Sequence, residues 1–176
     1  RIFFKFSVRN GNCMVYPFDV TTKAELTNSS ITENGFYLDL AKSRYLDINI
    51  KKEVLKEGAE GLTEDIRFNK PAKDGDKYTE EGIFTITVSN RYTDQLTTKT
   101  IYVGANKVLK AFVTTGLSIK EINNLVSKGA EIADDGTISQ ASTEEAVITT
   151  VPVNQDIDTD EAISTDTAPD STANVP

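Results

Sequence analysis

The chain has 176 residues, with 19 Lys and Arg against 27 Asp and Glu, no His, no Trp and one Cys, for a formal charge of −8. That length suits one ordinary domain or two small ones, and no apolar run approaches the length of a membrane-spanning helix. The lack of His removes the commonest general base, the commonest metal ligand and the usual serine or cysteine triad. Cys13 alone forms neither an internal disulfide nor a thiolate zinc cluster.

Residues 1–104 read as β-structure. Ile2, Phe4, Phe6 and Val8 alternate with Phe3, Lys5 and Ser7, the period of a half-buried strand. Asn10-Gly11 supplies a hairpin turn, with Cys13 to Phe18 returning as the partner. Further strands are predicted at Gly35–Leu40, Tyr45–Lys51, Asp65–Phe68, Gly82–Val88 and Thr98–Val103. The clearest directs Phe84, Ile86 and Val88 to one face, and Thr85 and Thr87 to the other. Turn signals at Lys73 to Asp76 and at Ser89-Asn90 separate them. Seven short strands in such a length match an immunoglobulin-like antiparallel β-sandwich.

The chain also echoes itself. Thr32-Glu33-x-Gly35 returns as Thr79-Glu80-x-Gly82, and Arg44-Tyr45-x-Asp47 as Arg91-Tyr92-x-Asp94. The repeat predicts a recurring strand–turn–strand unit. Two architectures fit: one sandwich with similar halves, or two small tandem units with a boundary near residue 54.

Glu80-x-Gly82-x-Phe84-x-Ile86 resembles the acidic-x-Gly-x-Tyr-x-Cys stretch of immunoglobulin folds. Its continuation through Thr97-Thr-Lys-Thr-Ile-Tyr-Val-Gly104 resembles the last hairpin of bacterial immunoglobulin-like domains. The resemblance implies a disulfide-free module of a Gram-positive cell-surface protein. Phe84 replaces the family's Tyr, removing its corner hydrogen bond, and Ile86 stands where a disulfide Cys would be.

Residues 105–138 change period. Val108, Leu109, Phe112 and Val113 recur at helical spacing up to Thr115-Gly116. Ser118 and Glu121 form a capping box before the stripe Ile119, Ile122, Leu125 and Val126, and Gly129 is placed as the C-terminal cap. A short hairpin turning at Asp135-Gly136 follows. This predicts a small two-helix appendage.

From residue 131 onward there are 11 acids and no Lys or Arg, so residues 1–130 carry a net +3. Residues 139–176 are acidic and rich in Thr, Ser and Pro, without aromatics. Such a segment buries too little apolar surface to offset its chain entropy. It is expected to be a disordered linker; a tail that folds on a basic partner is the alternative. Asp156, Asp158 and Asp160 alternate like an EF-hand loop. Glu161 and Thr167, however, stand where that loop needs Gly and a bidentate Glu.

No metal ligands, cofactor-binding residues or catalytic residues are assigned. The second helix, Ser118–Lys128, lacks Arg and adjoins an acidic tail, so no nucleic acid is expected as a partner. Glu80-Glu81, Glu64-Asp65 and Asp74/Asp76 are adjacent pairs or turn acids, whereas a glycosidase needs two carboxyls across one cleft. A lysine–asparagine amide, with Lys5 and Asn106 as partners and Glu80 as the acid, has no matching motif around it.

Arg91, Tyr92 and Asp94, in the last hairpin loop, are the candidate partner contact, because an exposed Tyr beside Arg suits an interface. The bland alternative is a cross-strand Tyr with a surface ion pair. The expected function is therefore a non-enzymatic extracellular module of a bacterial surface protein, acting as a spacer or as an adhesion or protein-binding domain. The alternative is a carbohydrate-binding accessory module of a larger surface enzyme. The partner would be a protein or glycan, with any anchor beyond Pro176.

Overall fold

A computed structural model describes residues 13–140 apart from Lys42 and Arg44. The expected strand at Ile2–Val8, the Asn10-Gly11 turn, Lys5 and the acidic tail after Gln140 lie outside the described residues.

The described chain is mainly β. In order it forms β1 (Tyr16–Asp19), β2 (Ser30–Thr32), β3 (Phe36–Asp39), β4 (Asp47–Leu55) and β5 (Leu62–Glu64). A single 3-10 turn (Ile66–Phe68) precedes β6 (Lys70–Pro71), β7 (Lys77–Tyr78), β8 (Gly82–Asn90) and β9 (Gln95–Val103). Two helices follow, α1 (Lys107–Thr115) and α2 (Ile119–Ser127), and then the short hairpin of β10 (Glu131–Ile132) and β11 (Ile138–Ser139).

Strands β1-β3-β7 form one antiparallel sheet. The larger sheet runs β2-β9-β8-β4-β5, with β6 also on β4, and β2 lies parallel to β9. The alternation read in β8 sets the two faces of this sheet. Phe84, Ile86 and Val88 are buried while Thr85 and Thr87 are half-exposed. The register places Ile50 beside Ile86 and Phe84 beside Ile101. These residues share one apolar core with Val15, Phe36 and Leu38 from the segment around β1 and β3. Each fully buried Ile or Phe there contributes roughly 1.5–3 kcal/mol relative to exposure. Phe84 anchors the cluster, its ring edge-on to Phe36 at 5.4 Å and to Phe68 at 5.7 Å.

The opposite face of the larger sheet carries Ile83 and Tyr102, side by side in the register. Leu109, Val113 and Ile119 of the helices close over them as a second cluster. Both helices begin as the sequence requires. The Asn106 side chain accepts from the amides of Val108 and Leu109, and both halves of the Ser118–Glu121 capping box are present. Gly116 ends α1 in the left-handed region.

The strand expected at Asp65–Phe68 is a correction. The strand there is β5, which ends at Glu64. Asp65 accepts from the Arg67 amide and so caps a tight turn. That turn swings the Phe68 ring into the core against Phe84.

The two echo copies meet at two places. A Cβ on Gly35, which has φ +93°, would lie 2.5 Å from the Tyr78 carbonyl oxygen and 2.8 Å from the Thr79 Cα. Only glycine lets the start of one copy approach the start of the other so closely. At the far end, Arg91 of the second copy pairs with Asp47 of the first at 2.6 Å.

Candidate functional site

The β8–β9 hairpin builds the candidate contact from its own backbone. Asn90 accepts from the amides of Thr93 (3.2 Å) and Asp94 (3.1 Å) through its carbonyl. It accepts from the Tyr92 amide through its side chain at 2.9 Å. Asp94 closes the loop at φ +55°, a conformation that Asp tolerates better than most residues. The loop so fixed presents Tyr92 at 77% exposure.

Arg91 turns back along the sheet. Its guanidinium donates two hydrogen bonds to Asp47, Nε to Oδ2 at 3.2 Å and Nη2 to Oδ1 at 2.6 Å. These bonds, then the carboxylate charge, hold the Arg91 proton more tightly than usual. The fork is solvent-exposed and fixes the loop against the start of β4 more than it stabilises the fold. Arg91, Tyr92 and Asp94 thus have three roles: strut, displayed ring and turn former. Thr93, between them, keeps a buried hydroxyl that finds no partner among the described residues.

Sequence reasoning missed what gathers around this loop. Tyr45 is 83% exposed and Leu96 is 68% exposed. Tyr45 lies just before β4, and Leu96 pairs with Ser89 at the start of β9. Met14 joins them, because its carbonyl accepts from Ser43 at 2.8 Å and the preceding Cys13 lies 3.5 Å from the Gln95 carbonyl. Four of the exposed large apolar residues therefore collect at one pole of the sheet. The echo was the available signal for Tyr45; nothing local in the sequence brings Met14 or Leu96 there.

The remaining tyrosines are structural. Tyr78 and Tyr102 are buried, Tyr37 stacks on Phe18 at 5.7 Å, and Tyr16 is half-buried. Burial pushes both the Tyr78 and Tyr102 hydroxyls far above the usual phenol range, so neither is a base at neutral pH.

The acids considered for chemistry also serve the fold. Lys52, 2% exposed, donates to Glu80 at 3.0 Å and lies 3.7 Å from Asp65, with its ammonium 4.4 Å from the Phe68 ring centre. Arg67 bonds both oxygens of Asp65, which lowers that carboxyl to about 2. Asp74 and Asp76 accept from the Leu40 and Lys73 amides. Asn106 caps α1. Arg67 and Lys52 hold Asp65 and Glu80 below the usual carboxylate range, which makes these two poor proton donors. Among the described residues, no group of three His, Cys, Asp or Glu is arranged to hold a metal ion.

At the opposite pole, an open cleft of about 700 Å³ lies between the β4–β5 loop, the start of β8 and the helices. Glu57, Glu60, Glu81, Asn106 and Asn123 are among its lining residues. Glu81 accepts from the Tyr102 hydroxyl at 3.0 Å, so two of these polar groups, Glu81 and Asn106, are committed to holding the helices on the sheet. No helix among the described residues is long and apolar enough to cross a membrane. No family model, curated protein or solved structure matches the chain.

Proposed function

We propose that the chain is a non-enzymatic, immunoglobulin-like module of a bacterial surface protein, working outside the cell as a spacer that also presents a contact surface. The observation that carries this reading is the path of the chain. Cys13, the first described residue, lies beside Gln95 at the start of β9. The chain leaves the sheet at Gly104, beyond the end of β9, and continues into the helices. Nine residues of strand separate these poles by roughly 30 Å. A module threaded end to end extends whatever is joined to it.

The strand order supports the immunoglobulin-like assignment. With β3, β4, β8 and β9 taken as strands B, C, F and G, one sheet reads A-B-E (β1-β3-β7). The other reads G-F-C, flanked by the edge strands β2 beside G and β5 beside C, in keeping with the two-sheet division of that fold. Ile86 fills the disulfide position with apolar packing, in keeping with a chain that has one Cys.

The test is a distance. Spin labels on Met14→Cys and Ala105→Cys, in a Cys13→Ser background, should lie on the order of 30 Å apart; labels that lie side by side would remove the spacer reading. Exposed Tyr45 and Tyr92 at one pole favour a second reading, a carbohydrate-binding accessory module, since aromatic rings present a face to sugars. It requires glycan-array binding that disappears in Tyr92→Ala, and a blank array dismisses it.

A further inference from the structure

We infer that the groove beside the Asp47–Arg91 fork is a subsite for a neutral saccharide, with Tyr45 and Tyr92 at its rim. This rests on the reading of this pole as a contact surface and names the class of ligand that the surface takes.

An open groove of about 350 Å³ runs along the outer face of β4, between the end of β8 and β6. That volume is at the small end of ligand sites, which range over roughly 300–1,000 Å³. The register sets its floor. Asp47 pairs with Ser89, and Asn49 with Thr87, so four polar side chains stand on one face of the sheet. They mark out a rectangle of roughly 5 Å by 7 Å, the span of one sugar ring. Leu46, Pro71 and Ala72 supply an apolar wall. Tyr45 stands two residues before Asp47 and Tyr92 directly after Arg91, both exposed, which brings two rings to the rim where the C–H face of a sugar can lie. The echo thereby gains a purpose. Tyr45 and Asp47 come from its first copy, Arg91 and Tyr92 from its second, and the two copies meet in one site.

The hydrogen-bonding capacity left over here suits a polyol. The Asp47 carboxylate accepts from Arg91 through both oxygens and keeps lone pairs for further donors, while the guanidinium keeps N–H groups of its own. The Asn49 amide nitrogen donates to the Asn69 side chain and the Ile50 carbonyl, which leaves its Oδ1 as an acceptor. The Thr87 and Ser89 hydroxyls are half-exposed and bond to nothing among the described residues, so each can donate and accept. Adjacent sugar hydroxyls, which also do both, satisfy this set. Charge narrows the class. Among the described residues Asp47 is the one charged member of the lining, and Arg91 neutralises it, so the field favours neither a phosphate nor an ammonium. An added peptide strand is excluded, because β4 is already paired with β8 on one side and β6 on the other, and such a strand needs a free edge.

The full 176-residue chain, applied to an array of neutral, sialylated and sulfated glycans, tests this. Neutral glycans should bind. Thr87→Val keeps the shape of the side chain and removes its hydroxyl, and should weaken the strongest interaction about five-fold; Asp47→Asn should weaken it about ten-fold. Thr85→Val is the same change on the same face of β8 but outside the groove, and should leave binding as it was. Equal losses in Thr85→Val and Thr87→Val, or binding confined to the charged glycans, would overturn the inference. So would binding that is lost in Tyr92→Ala yet indifferent to Thr87→Val and Asp47→Asn, an outcome that refutes the groove and leaves the carbohydrate reading standing. A blank array refutes both. The spacer reading is decided separately, by the label distance.

Discussion

Removing the Tyr102 hydroxyl should loosen the joint between sheet and helices without disturbing the core. Tyr102 is fully buried, and its oxygen sits between two elements. It donates to Glu81 at 3.0 Å and accepts from the Asn106 amide at 2.8 Å, at the N-cap of α1. Tyr102→Phe keeps the ring and breaks both bonds. Glu81 is exposed and regains water, so the loss centres on the amide and amounts to about 1–2 kcal/mol. For a body of this size that lowers the thermal midpoint by roughly 5 °C.

The neighbouring Gly104 sharpens the test. A Cβ there would lie 2.5 Å from the Tyr102 oxygen and 2.7 Å from the Glu81 Cγ, at φ +141°. Gly104→Ala alone should cost about 2–4 kcal/mol through overpacking and backbone strain. In the Tyr102→Phe background the tightest contact is gone, so the double variant should be more stable than the sum of the two by at least about 0.5 kcal/mol. Urea titrations followed by circular dichroism, run as a double-mutant cycle, measure this. Strict additivity, or a neutral Tyr102→Phe, would refute the account of the joint.

Ile86→Ala should cost about 2–5 kcal/mol, because Ile86 is fully buried in the apolar core beside Ile50; the urea midpoint reports it. Ser118→Ala should cost about 1 kcal/mol by orphaning the Glu121 amide of the capping box, visible as a lower melting temperature. Acid should destabilise the fold in a defined window. Asp65 titrates at about 2 when folded, chiefly because Arg67 hydrogen-bonds it, against 3.8 for an ordinary aspartate. The stability it contributes is therefore complete above pH 4 and disappears as the pH falls towards 2. Arg67→Ala should flatten that part of the stability profile; an unchanged slope would show that other carboxylates dominate.

How much the sequence disclosed depended on whether the signal was local. The β8 alternation, the capping box and Gly116 act within one or two turns of chain, and each reappears in the structure. Asp65–Phe68 misled because Phe68 and Ile66 carry strand-like side chains, while Asp65, an equally good cap, decides the backbone. The parallel strand β2 was invisible: three residues, Ser30 to Thr32, owe their conformation to β9 about 70 positions away. The same holds for the candidate contact. Tyr92 was legible from its turn, but the gathering of Tyr45, Leu96 and Met14 about it is a product of strand register. Lys52 was equally hidden, since a buried Lys becomes tolerable only once Asp65 and Glu80 are brought to it.

The central place of β9 has a consequence for how the chain becomes a protein. It is the last long strand in the chain among the described residues, yet it lies between β2 and β8. Contacts such as Cys13 to Val88 and Val15 to Lys99 span 75 and 84 residues, so the segment leading into β1 settles only once β8 and β9 are present. Until Val103 has emerged, the earlier strands have no complete surface on which to settle. A chain delivered N-terminus first through a narrow channel would thus cross unfolded and close in a single late step.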